Sequence, residues 1–140
     1  MILDSESLYY KDVNILAARP SLVESRSLID FPMNRIIAAP MTSLVGEDFI
    51  KAAIPAGISV GIPRFGTVDE QIHLLEVAIQ TRRLFNTNSF IWYSVGMKDW
   101  MDRIKPIFPT LYKNRDVGIL LDVANGYSVP VKKCFLEIKK

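Results

Sequence analysis

The chain contains a single cysteine and a single histidine. One cysteine builds no disulfide framework, which excludes a small stapled secreted scaffold and fits a reducing compartment. Long apolar runs are missing as well. No stretch reaches the roughly 18 to 20 residues that a membrane span needs. The start, Met1-Ile2-Leu3-Asp4-Ser5-Glu6, lacks the positive opening of a secretory signal. There is also no excess of charge of one sign. The formal net charge is +2, and the basic residues are scattered apart from Lys132, Lys133, Lys139 and Lys140. Those four read as the solvated face of an amphipathic helix, and nothing forms the basic stripe of a nucleic-acid binder. These absences predict a soluble, cytoplasmic protein with neither a nucleic acid nor a membrane as partner, and no metal site.

What is present is ample apolar material. Of 140 residues, 49% are apolar and 23% charged, a composition that packs an interior rather than staying disordered. The length suits one domain. Its expected organisation is a lead over 1–34 and four βα units over 35–140.

Short apolar runs alternate with helical patterns. Arg35 to Pro40 reads as a buried strand ended by proline, which donates nothing to a ladder. A helix-like stretch follows from about Gly46 to Ala56, with Phe49, Ile50, Ala53 and Ile54 on one face and Gly57 as the stop. Ile58 to Ile62 is the second strand. Thr67 and Glu70 form a capping box that opens the second helix, whose Val68, Ile72, Leu75 and Ile79 recur at helical spacing until Asn86-Thr87-Asn88.

Ser89 to Gly96 is aromatic and β-branched, a third strand. Asp99 is expected to cap a shorter helix carrying Trp100, Met101 and Ile104, which should end near Pro106 and Pro109. Val117 to Val123 is the fourth strand. Ser128 is expected to cap a last helix, with Pro130 in its first turn and Val131, Phe135 and Ile138 as its apolar face.

Strands apolar at nearly every position call for cover on both sides, as in parallel α/β sheets. Two architectures fit: a doubly wound open sheet, or the N-terminal half of a (βα)8 barrel, since a complete barrel takes about 250 residues. In either, ligands gather at the carboxyl ends of the strands. The segments to read are therefore Ala39 to Ser43, Pro63 to Thr67, Gly96 to Asp99 and Asp122 to Ser128. The last places a carboxylate at a strand end, then Asn125, Gly126, Tyr127 and Ser128 before a helix N-terminus. Such an aspartate suits ribose hydroxyls, and free helix N–H groups suit a phosphate. From spacing alone, helix capping plus a turn is the favoured reading, since Asn, Gly and Ser are ordinary turn residues. His73 reads as a surface or satisfied helix residue, and Cys134 as a buried structural one.

Several segments, in order, resemble the IMP dehydrogenase/GMP reductase family. Lys11-Asp12-Val13, then Ser21-Leu22-Val23-Glu24-Ser25-Arg26-Ser27, is similar to the family's N-terminal D-V-L-L…S-x-V-x-S-R segment. Ile36 to Met41 resembles its first barrel strand, P-I-I-x-A-x-M-D-T-V. Ala56-Gly57-Ile58 through Gly61-Ile62-Pro63-Arg64-Phe65-Gly66-Thr67-Val68-Asp69-Glu70-Gln71 resembles A-G-G-I-G-V-I-H-R-F-x-T-I-E-E-Q. Ser94 to Lys98 is similar to the third-strand end, and Asp122 to Ser128 to the form typical of GMP reductases, where the dehydrogenases carry D-S-S-Q-G-N-S.

The resemblance implies a (βα)8 barrel and hydride transfer between a nicotinamide cofactor, NADPH or NAD, and a purine nucleotide, GMP or IMP. It implies that Met41 contacts the nucleotide, and that Ser25 and Arg26 reach a neighbouring subunit's cofactor. Arg64 would lie near the cofactor, and Asp122, Val123 and Ala124 would bind it, with Asp122 at the nicotinamide-side ribose. The family's catalytic cysteine sits on a G-x-G-S-x-C-x-T loop after the sixth strand. That loop and the monovalent-cation site have no counterpart here, so no catalytic residue is assigned, and a C-terminal half-barrel or a homo-oligomer is the expected partner. Thr42 and Pro63 depart from the family's aspartate and histidine. The stretch where dehydrogenases often carry a regulatory insertion is continuous, which leans toward the reductases. The alternative is a non-catalytic remnant that binds nucleotide or cofactor, or a partner subunit of a full-length relative.

Overall fold

A computed structural model describes residues 36–126 and 128–138. The chain divides into Met1–Asp30 and Phe31–Lys140, and every described residue belongs to the second unit. Ser25, Arg26 and the N-terminal lead lie outside the described residues, as do Arg35, Tyr127, Lys139 and Lys140.

The elements alternate: β1 (Ile37–Ala38), α1 (Glu47–Ala53), β2 (Ser59–Ile62), α2 (Val68–Phe85), β3 (Ile91–Val95), α3 (Trp100–Lys113), β4 (Val117–Leu121) and α4 (Val129–Ile138). The strands form one sheet in the order β1-β2-β3-β4, every pair parallel. The register aligns Val60, Ile91 and Val117 across β2, β3 and β4. The protein is therefore α/β with sequential βα units, and the strand order does not reverse as it does in a doubly wound sheet.

Strand side chains alternate between two faces. On one face, Ala38, Val60, Ile62, Ile91, Tyr93, Val95 and Val117 form a single buried cluster with residues of three helices. Ile50, Ala53 and Ile54 enter it from α1 and its C-cap, Leu75, Ala78 and Ile79 from α2, and Ile104 and Ile107 from α3. Each isoleucine, leucine and valine among them contributes roughly 1.5 to 3 kcal/mol when fully buried. Ile138 of α4 packs against the same cluster.

The other face is different. Phe90 and Trp92 stack there with ring centroids 4.8 Å apart, and the indole lies across Gly118, where a Cβ would come within 2.8 Å of the ring. Only a glycine leaves that space. The expected cover on both sides holds for β2, buried at all its positions. It does not hold at the edges: Ile37 is 49% exposed, and β4 is half-buried from Gly118 to Leu121.

Several local expectations are met. Thr67 and Glu70 make the reciprocal capping box, and α2 ends at Asn86, whose φ of 47° is left-handed. Cys134 is buried, and burial first, then the Glu137 carboxylate, pushes its thiol pKa up. His73 is exposed and lies 3.2 Å from a Glu47 carboxylate oxygen. Lys132 and Lys133 are exposed as expected.

Others are corrected. The third helix does not end at its prolines but continues through Pro106 and Pro109 to Lys113. An interior proline costs about 3 kcal/mol through its missing N–H and its ring. Both prolines sit on the exposed side of α3, where water reaches the carbonyls they leave unbonded, while buried Ile104 and Ile107 hold the opposite side. Met101, expected on the apolar face, is 57% exposed. In α4, Phe135 turns outward at 53% exposure, and the inward residues are Val131, Cys134 and Ile138.

The Tyr93 hydroxyl is buried without a hydrogen-bond partner among the described residues. Burial, chiefly, pushes its pKa up to about 12; the nearby Asp99 carboxylate adds to this and the Arg103 guanidinium opposes it. Folding thus favours the protonated phenol, so stability holds below the unfolded value of about 10 and falls as pH climbs from there toward 12. Tyr93→Phe is expected to match or exceed the wild type at neutral pH, by up to about 1 kcal/mol in urea unfolding, since an unpaired buried hydroxyl is removed. It should also remove this part of the alkaline decline. A loss above about 1 kcal/mol would mean the hydroxyl is bonded.

Candidate functional site

Parallel strands send their carboxyl ends to one edge of the sheet, and the loops after β1, β2, β3 and β4 meet there. Arg64, two residues past β2, reaches across to Asp122 just past β4, with Nε 3.2 Å from Oδ2. The two residues are 58 apart in sequence. The Arg64 guanidinium also sits 4.4 Å from the centre of the Phe65 ring, a cation–π contact. Both partners of the ion pair are about one-third exposed or less, so the pair keeps an open side.

Reaching Asp122 requires Arg64 to pass over β3. Gly96 is what lies beneath it. A Cβ there would meet Arg64 Nη1 at 3.2 Å and Asp99 Oδ1 at 2.8 Å.

Asp122 borders two cavities. One, of about 400 Å³, is lined by Met41, Thr42, Phe65 and Asp122 among others. The other, of about 480 Å³, is lined by Arg64, Lys98, Asp99, Asp122, Val123 and Ala124 among others. A larger apolar cavity of about 660 Å³ lies between the end of β4 and α4, bordered by Leu121, Val131 and Phe135. It touches Val123 but neither Arg64 nor Asp122, so the charged chemistry lies with the two smaller ones.

The sequence-selected residues Met41, Arg64, Asp122, Val123 and Ala124 are thus brought to one strand-end cluster. Met41 is 55% exposed at its rim. Of the residues that depart from the family pattern, Thr42 is exposed and lines the first cavity, whereas Pro63 is buried. Ser128 directly precedes α4, and its carbonyl accepts the Lys132 N–H at 3.1 Å.

Beneath the cluster runs a polar network that the sequence reading did not assign. Arg103 of α3 donates to Asp99 at 2.5 Å, to the Gln71 side chain at 2.8 Å and to the Gly66 carbonyl at 3.2 Å. Gln71, 2% exposed, donates in turn to the Ser94 carbonyl at 2.7 Å. Asp99 was expected as a side-chain cap of α3. It stands at the cap position but makes no side-chain cap bond, and accepts instead from the Gly96 N–H at 3.0 Å and from Arg103. Burial pushes its pKa up, but hydrogen bonding and charge from Arg103, with the Gly96 N–H, outweigh that and hold the carboxyl below its ordinary value. Two signals for this network stood in the sequence: the four-residue Asp99–Arg103 spacing, and a glutamine at an inward position of α2.

The described residues contain no group of three or more histidine, cysteine, aspartate or glutamate side chains able to hold a metal. None of their helices is long and apolar enough to cross a membrane. No model of a known protein family and no curated protein matches the chain.

Gly96→Ala is expected to push aside the Asp99 and Arg64 side-chain ends rather than backbone, and so to lower unfolding stability in urea by about 1 kcal/mol, the low end of the cost of an added methyl group. An unchanged midpoint would show that Arg64 and Asp99 move aside freely. Because the Asp99 pKa is depressed, its contribution is present above the unfolded value near 4 and is lost as pH falls through the lower folded value. Asp99→Asn should therefore flatten the acid limb of the stability curve below about pH 4.

Proposed function

We propose that this chain is the N-terminal part of a GMP reductase/IMP dehydrogenase-like oxidoreductase, the first half of a (βα)8 barrel. The observation that carries the reading is the convergence of Met41, Arg64, Asp122, Val123 and Ala124. The resemblance picks these residues from separate motifs, and they meet at the carboxyl ends of sequential parallel strands. That is the end where barrel enzymes keep their chemistry.

The reading assigns the roles as follows. Asp122 accepts hydrogen bonds from the ribose on the nicotinamide side of NADPH or NAD. Val123 and Ala124 extend the same wall. Arg64 and Lys98, bordering the same cavity of about 480 Å³, supply positive charge toward the cofactor's phosphates, and Arg64, 3.2 Å from Asp122, orients its carboxylate. The cavity lies within the range of about 300 to 1,000 Å³ usual for small-ligand sites. Met41 offers an apolar contact to the purine of GMP or IMP. The cofactor supplies or accepts the hydride. The covalent cysteine and the cation site belong to strands five to eight, which a C-terminal half-barrel must contribute. Ser25 and Arg26 would reach a neighbouring subunit's cofactor.

A second reading is a binding half without catalysis. Pro63 favours it, because a buried imino acid stands where the family carries a histidine.

The test is co-expression with a segment supplying strands five to eight and the cysteine loop, followed by NADPH oxidation with GMP. Turnover is expected only with both parts, and Asp122→Ala should lower kcat/KM by about ten-fold or more, the loss of a charged hydrogen-bond acceptor. NADPH binding by calorimetry with no turnover in any combination would favour the second reading. Turnover by this chain alone would sink the first.

A further inference from the structure

We infer that Arg103 is a positioning residue for the strand-end cluster, holding the β2–α2 and β3–α3 loops so that Arg64 reaches Asp122. The guanidinium has three nitrogens, and each is committed to a different partner: Nε to Asp99 Oδ2, Nη1 to Gln71 Oε1 and Nη2 to the Gly66 carbonyl. Each partner fixes a piece of the cluster's floor. Gly66 closely follows Arg64 and Phe65, so its carbonyl bond fixes where the β2–α2 loop leaves the sheet. Asp99 uses its second oxygen to hold the Gly96 N–H, and Gly96 is the residue over which Arg64 passes. Gln71 ties the same guanidinium to the Ser94 carbonyl in β3.

The Arg103 side chain is only 13% exposed. A planar fork with fixed donor directions serves three acceptors at once, which a lysine ammonium on a flexible stem does not reproduce. Without the fork, the buried Gln71 oxygen and one Asp99 oxygen lose their partner, and the β2–α2 loop loses its tie to α3. Arg64 then has no fixed origin from which to span β3.

The plain alternative is that Arg103 merely stabilises α3. Arg82 provides the control. It is a similarly part-buried arginine with 22% side-chain exposure, and it makes the equivalent ties at the amino ends of the strands. Its Nε donates to the Ser89 carbonyl at 2.9 Å and its Nη2 lies 2.8 Å from Asp116. Arg82→Ala therefore costs comparable bonds without touching the strand-end loops.

The experiment follows the Arg64 Nε–H by nitrogen-15 NMR of the full chain. This proton is held by Asp122 and should be resolved and slow to exchange in the wild type. In Arg103→Ala its exchange should accelerate by about ten-fold or more, the equivalent of losing a charge-assisted hydrogen bond, while Arg82→Ala leaves it unchanged. Arg103→Lys should fall between, and it decides on the same signal if the alanine variant does not fold. An Arg64 signal unchanged in the Arg103 variants, equally affected in Arg82→Ala, or absent from the wild type overturns the inference. The consequence for cofactor affinity rests on the function proposed above and is read separately, as a weakening of NADPH binding by about ten-fold in Arg103→Ala relative to Arg82→Ala. If the wild type binds no NADPH while the Arg64 signal behaves as expected, the cofactor reading falls and the positioning role stands.

Discussion

Parallel pairing of the strands in chain order is the constraint on which the rest of this protein depends. A parallel neighbour cannot be reached by a tight turn, so each strand must be followed by a crossover long enough to return the chain to the amino end of the sheet. Such crossovers are right-handed almost without exception. With strand order β1-β2-β3-β4, every step has the same direction. Inward residues of α1, α2 and α3 accordingly join one cluster on one face of the sheet. The same geometry separates two kinds of loop, and those leaving the carboxyl ends collect at one edge. Arg64 and Asp122 meet there at 3.2 Å because β2 and β4 flank β3 in the same direction.

A second layer of organisation is polar. Gln71, Asp99 and Arg103 lie between the apolar cluster and the strand-end loops, where a donor or acceptor removed from water must find a partner. Their mutual bonds run in both directions along the chain, from α3 back to Gly66 and from α2 forward to Ser94. The β2–α2 and β3–α3 loops are thereby both tied to Arg103 of α3. At the amino ends, Arg82 does comparable work through Ser89 and Asp116. Tyr93, like Thr87, Trp92 and Ser94, departs from this, with its hydroxyl buried and unpartnered among the described residues, and its value to the fold lies in its ring.

The apolar periodicity of α2, its capping box and its stop at Asn86 were all legible in the sequence, because each depends on residues within one turn of one another. The four strands were legible as short apolar runs, though their ends were not: β1 pairs over two residues only. Residues of the candidate cluster were legible as strand-end positions, and the resemblance singled out five of those seen here. The corrections share one cause. Pro106 and Pro109 predict a break when only the local backbone is considered, yet the helix continues because its inward face is buried and its proline side is wet. Asp99 has the composition of a cap but finds Arg103 and the Gly96 N–H closer to hand. Phe135 has helical spacing with Val131, but Cys134 takes the inward direction.

By itself, then, the sequence determined the alternation of strands and helices, the local caps of α2 and the strand-end segments worth reading, since these follow from short-range sterics, hydrogen bonding and apolar spacing. Only the tertiary structure decided that the strands pair in chain order, that Gly96 yields its space to Arg64, and that Arg103 joins three segments beneath the cluster. Those outcomes depend on which side chains meet across gaps of tens of residues, and packing at that range is written in no local pattern.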